Sequence, residues 1–511
     1  MKSINRLKRT VINPVLQVCV VCGFYLIGSG DLQAEEKKNY TRPPFSAFSS
    51  QMSDALLGSD KYEKPVWNLH DMLKLPDWLS LSLEQRTRYE TMDGTFRANT
   101  KGGDQQIALQ TDLWLEAHLG SFRFGTEFLD ARALDTDSGS VANGLNNTHA
   151  DTADFIQGYA AWSKQNLFYR GIGAEVIAGR QTLNFGSRRL IARNAFRNTI
   201  NTFTGGRIRV TDYSHWQFNG FVTMPVIRFP TAASDIRNDV HQFDEEDTHT
   251  LFSGGFLELY NLGWNMNSEV YLYHLDESDS IRNLTRNRRY FTPGVRFYMK
   301  PAKAKFDFQA EVMGQLGTVR ATAAANDRHN LDHAAWSHHL DVGYTFDITW
   351  TPRVALEYDY ASGDKNAKDN IDQRFDPLFG ARRFDFGPTG IYGAFSRSNI
   401  HTPGIRINAA PRSDVQLVLA HRAFWLASAT DCWGGSTCTG TSLILSPKAK
   451  GSGDFVGQQL ELSARWDVNS SLNLETGWAH LFKGQFARQA TAAPSSGVDV
   501  DYVYVQSLLR F

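Results

Sequence analysis

Between Val176 and Thr211 the chain carries seven arginines, Arg180, Arg188, Arg189, Arg193, Arg197, Arg207 and Arg209, and no Asp or Glu. The whole chain has 54 acidic residues, so a run this long without one is a local imbalance. A guanidinium is a flat fork of donors that grips a carboxylate or phosphate through two aligned bonds. The chemistry on offer is therefore anion binding. Two readings stand: the basic wall of a pore for an anionic ligand, or a surface loop paired with acids of neighbouring strands or with lipopolysaccharide.

Other chemistries have weaker support. His333, His338 and His339 cluster, but no Ser with a matching acid accompanies them and no metal-binding pattern appears. The phosphate-binding pattern GxxxxGK[ST] is missing, so no nucleotide-driven pump is expected, and nothing calls for a nucleic-acid partner. Carboxylates between Asp364 and Asp376 match no calcium-loop spacing. We expect no cofactor, no metal and no catalysed reaction. Cys432 and Cys438, in CWGGSTC, are expected to close a small disulfide loop in an exported chain.

The elements that must carry the arginines alternate. From Trp78, Leu79, Leu81 and Leu83 share one face, while Ser80, Ser82, Glu84, Arg86 and Arg88 share the other. Ile107, Leu109, Thr111, Leu113 and Leu115 alternate with Ala108, Gln110, Asp112, Trp114 and Glu116. Alternation of this length describes a sheet with one apolar and one polar face, in strands longer than an ordinary sandwich uses. The pattern predicts strands at 78–90, 105–119, 121–132, 153–164, 174–183, 204–212, 215–224, 249–260 and 263–275. A second half follows at 289–299, 303–316, 335–347, 350–361, 400–411, 414–427, 454–468, 471–483 and 499–511.

Tight turns and long polar loops join these eighteen strands alternately. Hydrocarbon satisfies no backbone N–H or C=O group, so a sheet spanning lipid must close on itself. An even strand count, short turns on one rim and long loops on the other describe a transmembrane β-barrel with periplasmic turns and extracellular loops. No fixed-period repeat supports a propeller or solenoid. Trp336, Trp350, Trp425, Trp466 and Trp478 fall on the outer face, as an interfacial belt requires. Trp114, Tyr271, Tyr273 and Tyr298 point inward, to stack on sugar rings or to fill space. The longest loop, 362–399, is expected to cover the mouth from outside.

A basic start (Lys2, Arg6, Lys8, Arg9), an apolar run from Val11 to Ile27 and Leu32-Gln33-Ala34 read as a secretory signal over 1–34. Its removal leaves 49 basic and 53 acidic residues. Residues 35–77 read as a periplasmic tether or small plug, with a short helix near 66–74, and residues 78–511 as the barrel.

LPDWLSLSLEQRTRYE (75–90), AGRQTLNFGSRRLI (178–191) and FVGQQLELSARWDV (455–468) resemble segments of the alginate-export family of outer-membrane porins. The sharpest likeness is Gly179-Arg180-Gln181 followed by Arg188-Arg189. The C-terminal strand ending in Phe511 likewise resembles those that outer-membrane barrels present to their assembly machinery. The resemblance implies an eighteen-stranded barrel and a pore for an anionic polysaccharide or its fragments, lined by arginines. Arg180 and Arg189 are the best-matched positions, and Arg86 and Arg88 follow.

The chain departs from that pattern in carrying acids on its polar faces about as often as bases, among them Asp112, Glu127, Glu311, Glu357, Asp359 and Glu461. An all-basic lumen is not supported, and many of these charges are expected to pair across strands. The reading is an outer-membrane channel of a Gram-negative bacterium for anionic saccharides such as alginate or its fragments, or for other small anions. Its partners are lipid, lipopolysaccharide, the assembly machinery and a possible periplasmic protein. The alternatives are a general uptake porin and, from another class, a barrel hydrolase.

Overall fold

The computed structural model describes residues 64–136, 146–167, 171–212, 214–280, 283–434, 451–494 and 497–511. The signal, most of the 35–77 segment and Cys438 lie outside the described residues. The strands are β1 (Leu79–Asp93), β2 (Asp104–Leu119), β3 (Phe122–Leu134), β4 (Asp151–Lys164), β5 (Gly173–Gln181), β6 (Phe203–Thr211) and β7 (Trp216–Ile227). There follow β8 (Glu245–Glu246), β9 (Thr250–Leu259), β10 (Met266–Glu277), β11 (Arg289–Met299), β12 (Lys305–Arg320), β13 (Asn330–Thr345) and β14 (Arg353–Ala361). The last six are β15 (Ile371–Asp372), β16 (Ile400–Arg412), β17 (Val415–Trp425), β18 (Phe455–Asp467), β19 (Leu472–Lys483) and β20 (Val500–Arg510).

Apart from the two-residue β8 and β15, each strand pairs antiparallel with its sequence neighbours. β1 closes the ring against β20 from Glu84↔Arg510 to Asp93↔Asp501. The result is a closed eighteen-stranded barrel, matching the alternation strand for strand. Closure leaves no sheet edge unpaired. Side chains sort by parity: in β2, Gln106, Ala108, Gln110, Asp112, Trp114 and Glu116 are buried, while Leu113 and Leu115 face out. Leu316, Leu340, Val342 and Leu356 continue the outer apolar band.

The interior is not empty. Residues 182–202, between β5 and β6, fold inward and meet the 362–399 loop inside the ring. Ile191 bridges Phe379, the Ala192 N–H donates to the Phe379 carbonyl (3.2 Å), and the Ala381 N–H donates to the Arg188 carbonyl (2.9 Å). Phe375, Phe384, Phe386, Ile391, Tyr392 and Phe395 are buried with them. The expected cap over the mouth is thus corrected: this loop is an internal element. Its aromatic side chains obtain more apolar burial against the wall than an external lid would provide.

The expected inward aromatics serve the same packing. Phe185 stacks on Phe256, Phe256 on Tyr271, and Tyr271 on Tyr273. Outside the ring, a short helix at Leu69–Met72 follows Asn68, whose side chain accepts from the Asp71 N–H (3.1 Å). This described end of the N-terminal segment packs on the short-turn rim. The Trp67 N–H donates to Ser471 Oγ (2.9 Å), and the Trp67 ring meets Phe511.

Candidate anion site in the lumen

The arginine-rich run crosses the interior. Arg189 donates to Glu311 on β12 (2.8 Å) and to Asp385 of the other inner loop (2.9 Å). Four residues on, Arg193 donates to Asp112 on β2 (2.9 Å) and Glu127 on β3 (2.9 Å). β2 and β12 lie half a ring apart, so the loop bridges the lumen and is pinned on both sides.

Most of the remaining arginines in the sequence reading are occupied. Arg180 donates to Glu246 (2.7 Å), and Arg207 and Arg209 share Glu175 at 3.6 and 3.4 Å. Arg88 pairs with Glu90 (2.5 Å) and lies over the Phe196 ring. Arg86 donates to the Ala195 and Arg197 carbonyls (2.7 and 2.9 Å), which holds the far end of the bridging loop against β1. Arg188, in the left-handed region at φ 64°, lies over the Phe384 ring. The wall ion pairs inferred from the balanced polar faces therefore account for six of the nine. Cys432 is buried and disulfide-bonded.

Beside the 182–202 loop a second network fills the ring. Arg397 joins Asp359 (3.0 Å) and Asp385 (2.6 Å); Arg422 joins Asp359 (2.9 Å) and Glu357 (2.7 Å); His339 faces Asp359 (2.8 Å). Burial alone would raise the Asp385 carboxyl, but Arg189 and Arg397 override it and hold it well below its usual range. A small cavity of about 10 Å³, lined by Ser187, Arg189, Gln309, His339, Glu357, Phe384 and Asp385, lies here. Its one arginine is already saturated by carboxylates.

Among the described residues, Arg97, Arg197 and Arg382 carry positive charge that the wall does not pair. Among the described residues none of the three has a carboxylate at ion-pair distance. Arg97 donates through Nη2 to the Ile391 and Tyr392 carbonyls (3.0 and 2.7 Å), and its buried Nη1 has no partner. Arg197 donates to Asn201 Oδ1 (2.6 Å). Arg382 has no acceptor among the described residues.

Burial, then repulsion from Arg382, pushes the Arg97 guanidinium down to about 9. Burial pushes Arg382 down to about 10, and burial with Arg228 and Arg382 lowers Arg197 well below the ordinary value. Arg382 therefore sits close enough to repel both Arg97 and Arg197, and the three cations come from three different loops. Gly393 keeps space beside them: at φ +48° an added Cβ would lie 2.9 Å from Arg382 Nη2. Arg197 was in the basic run. Arg97 and Arg382 were missed, and the only signal for them was an arginine in each of two loops that turn inward.

A closed eighteen-stranded barrel with an apolar outer band and inward loops is an outer-membrane porin-type barrel. A family model described as alginate export matches residues 77–501, and the chain belongs to that family. No curated protein matches the chain. Among solved structures from Pseudomonas aeruginosa, the outer-membrane protein OpdK is similar at 12% identity and a TM-score of 0.53, covering 85% of this chain and 98% of that one. OprD is similar at 15% and 0.50, covering 85% and 93%. OccK2, solved in complex with glucuronate, is similar at 11% and 0.51, covering 85% and 98%. At these identities the likeness is one of fold.

Proposed function

We propose that this barrel is a selective channel for anionic saccharides such as alginate or its fragments, or for other small carboxylates, and that it catalyses no reaction. The observation that carries this reading is the set of three guanidiniums, Arg97, Arg197 and Arg382, the last repelling the other two, with no carboxylate at ion-pair distance among the described residues. A half-buried cation without a paired carboxylate is costly, and a passing carboxylate relieves that cost. A weakly screened interior also raises the local concentration of anions. The glucuronate bound to the similarly folded OccK2 is a sugar carboxylate of the kind such a site would accept.

Of the nine arginines singled out in sequence, we assign cargo contact to Arg197. Arg188 lies over the Phe384 ring, and the other seven hold the loops and wall in position.

The test is reversal potential in planar bilayers under a salt gradient, together with current block by glucuronate and by alginate oligomers. Wild type should prefer anions and be blocked by both. Arg382→Glu and Arg197→Glu should each lower anion preference severalfold and weaken block. Unchanged selectivity in both variants would overturn the assignment.

A further inference from the structure

On the long-loop side of the barrel, three carboxylates converge that the anion site does not use. Asp151 and Asp154 lie at the start of β4, and Asp244 lies in the loop between β7 and β9. All three are buried, and each offers an oxygen within 4.8 Å of those of the other two. The two β4 residues are three apart and would ordinarily face opposite sides of a strand. An irregularity re-aims them: Ala153 takes φ 59°, and the register against β3 shifts between Leu129 and Ala131. A bulge of this kind turns a side chain onto the other face.

The surrounding cations make no short bond to the carboxylates of the cluster. Asp154 accepts from the Phe155 and Asp244 N–H groups, and Asp244 Oδ1 accepts from the Phe229 N–H (2.8 Å). Both oxygens of Asp151 are buried and have no partner. Arg180 comes no nearer than 3.9 Å to Asp154 and spends its short bonds on Glu246. Arg228 directs its donors to the Asn147 and Ile200 carbonyls and to Asn201 Oδ1. Three buried carboxylates that share one space repel strongly, and one of them lacks even a hydrogen bond.

We propose that Asp151, Asp154 and Asp244 form a site for a hard divalent cation, Ca²⁺, that clamps the extracellular start of β4 to the loop between β7 and β9. All-oxygen, carboxylate-rich coordination suits Ca²⁺, and sites on the outer surface of a cell work at submillimolar to millimolar concentrations. The inference is independent of the anion site, which lies on other residues. It fixes a loop frame beside Arg228, whose bonds to Asn147, Ile200 and Asn201 reach the bridging loop.

The experiment uses full-length protein refolded in detergent, free of lipopolysaccharide, with folding checked by heat-modifiable migration. Calorimetric titration with CaCl₂ should give one site per chain at or below about 1 mM. Asp151→Asn and Asp244→Asn should weaken it at least about tenfold while migration stays that of a folded barrel. No Ca²⁺ heat in wild type, or equal binding in the folded variants, overturns the proposal. If the variants do not fold, thermal unfolding of wild type decides: an upward shift in Ca²⁺ over EDTA supports the site, and no shift overturns it. A protonated-carboxyl infrared band that persists in Ca²⁺ and disappears in Asp151→Asn also overturns it.

Discussion

The arginines of this chain divide into those that are held and those that are not, and the two groups respond differently to truncation. Arg189 lies between Glu311 and Asp385, all three buried. Arg189→Ala strips Glu311 of its ion pair and leaves Asp385 to Arg397, and it should cost about 3–5 kcal/mol, read as a lower urea midpoint for barrels folded into vesicles. Arg382 has no such partner, so Arg382→Ala should leave that midpoint unchanged or raise it while lowering anion preference. A large loss of stability in Arg382→Ala would mean that an acid pairs with it after all. The sequence made the charges countable but not their pairing, because the partners are remote: Arg189 and Asp385 are 196 positions apart. A run of arginines without a local acid is thus compatible with nearly full neutralisation by the wall.

Strands were legible and loops were not. Period-two alternation is dictated by lipid on one side of each strand, so every strand position followed from local residue order. No comparable rule says whether an aromatic loop turns in or out, which is why 362–399 was misjudged. The Gly179-Arg180-Gln181 signature has a plain backbone cause: at φ +127°, a Cβ on Gly179 would lie 2.3 Å from the Gly158 carbonyl of β4. Gly179→Val should cost at least about 1–3 kcal/mol, visible as a fall in the fraction refolded, and an unaffected yield would refute the close approach.

The inner loops also carry a pH dependence. Burial pushes His149 down to about 4, so it is neutral when packed. The Asn198 amide donates to the His149 carbonyl (2.8 Å), which ties this segment to the bridging loop. The unfolded histidine titrates near 6.5, so below that value the unpacked segment takes up the extra proton and packing weakens progressively toward pH 4. Protease cleavage of the long loops should accelerate over that interval in wild type, and His149→Asn should flatten the profile.

At the scale of the molecule, stability divides between an outside that must be apolar and an inside built like a soluble core. Leu356 is 64% exposed near the middle of β14 and faces outward. Leu356→Arg should cost about 2–4 kcal/mol in a bilayer and almost nothing in conductance, while Arg197→Glu should do the reverse. Equal stability of Leu356→Arg and wild type in vesicles would contradict the membrane-facing assignment.

The bridging of the ring by residues 182–202 separates aperture from circumference. Strand number sets the frame, but a single crossbeam, pegged to β12 at one end and to β2 and β3 at the other, sets the gap. Exchange of that crossbeam and its neighbour at 362–399 between family members should carry cargo preference with it, the eighteen staves unchanged. Diversification within such a family then requires no new barrel, only a new span that still finds its acidic pegs.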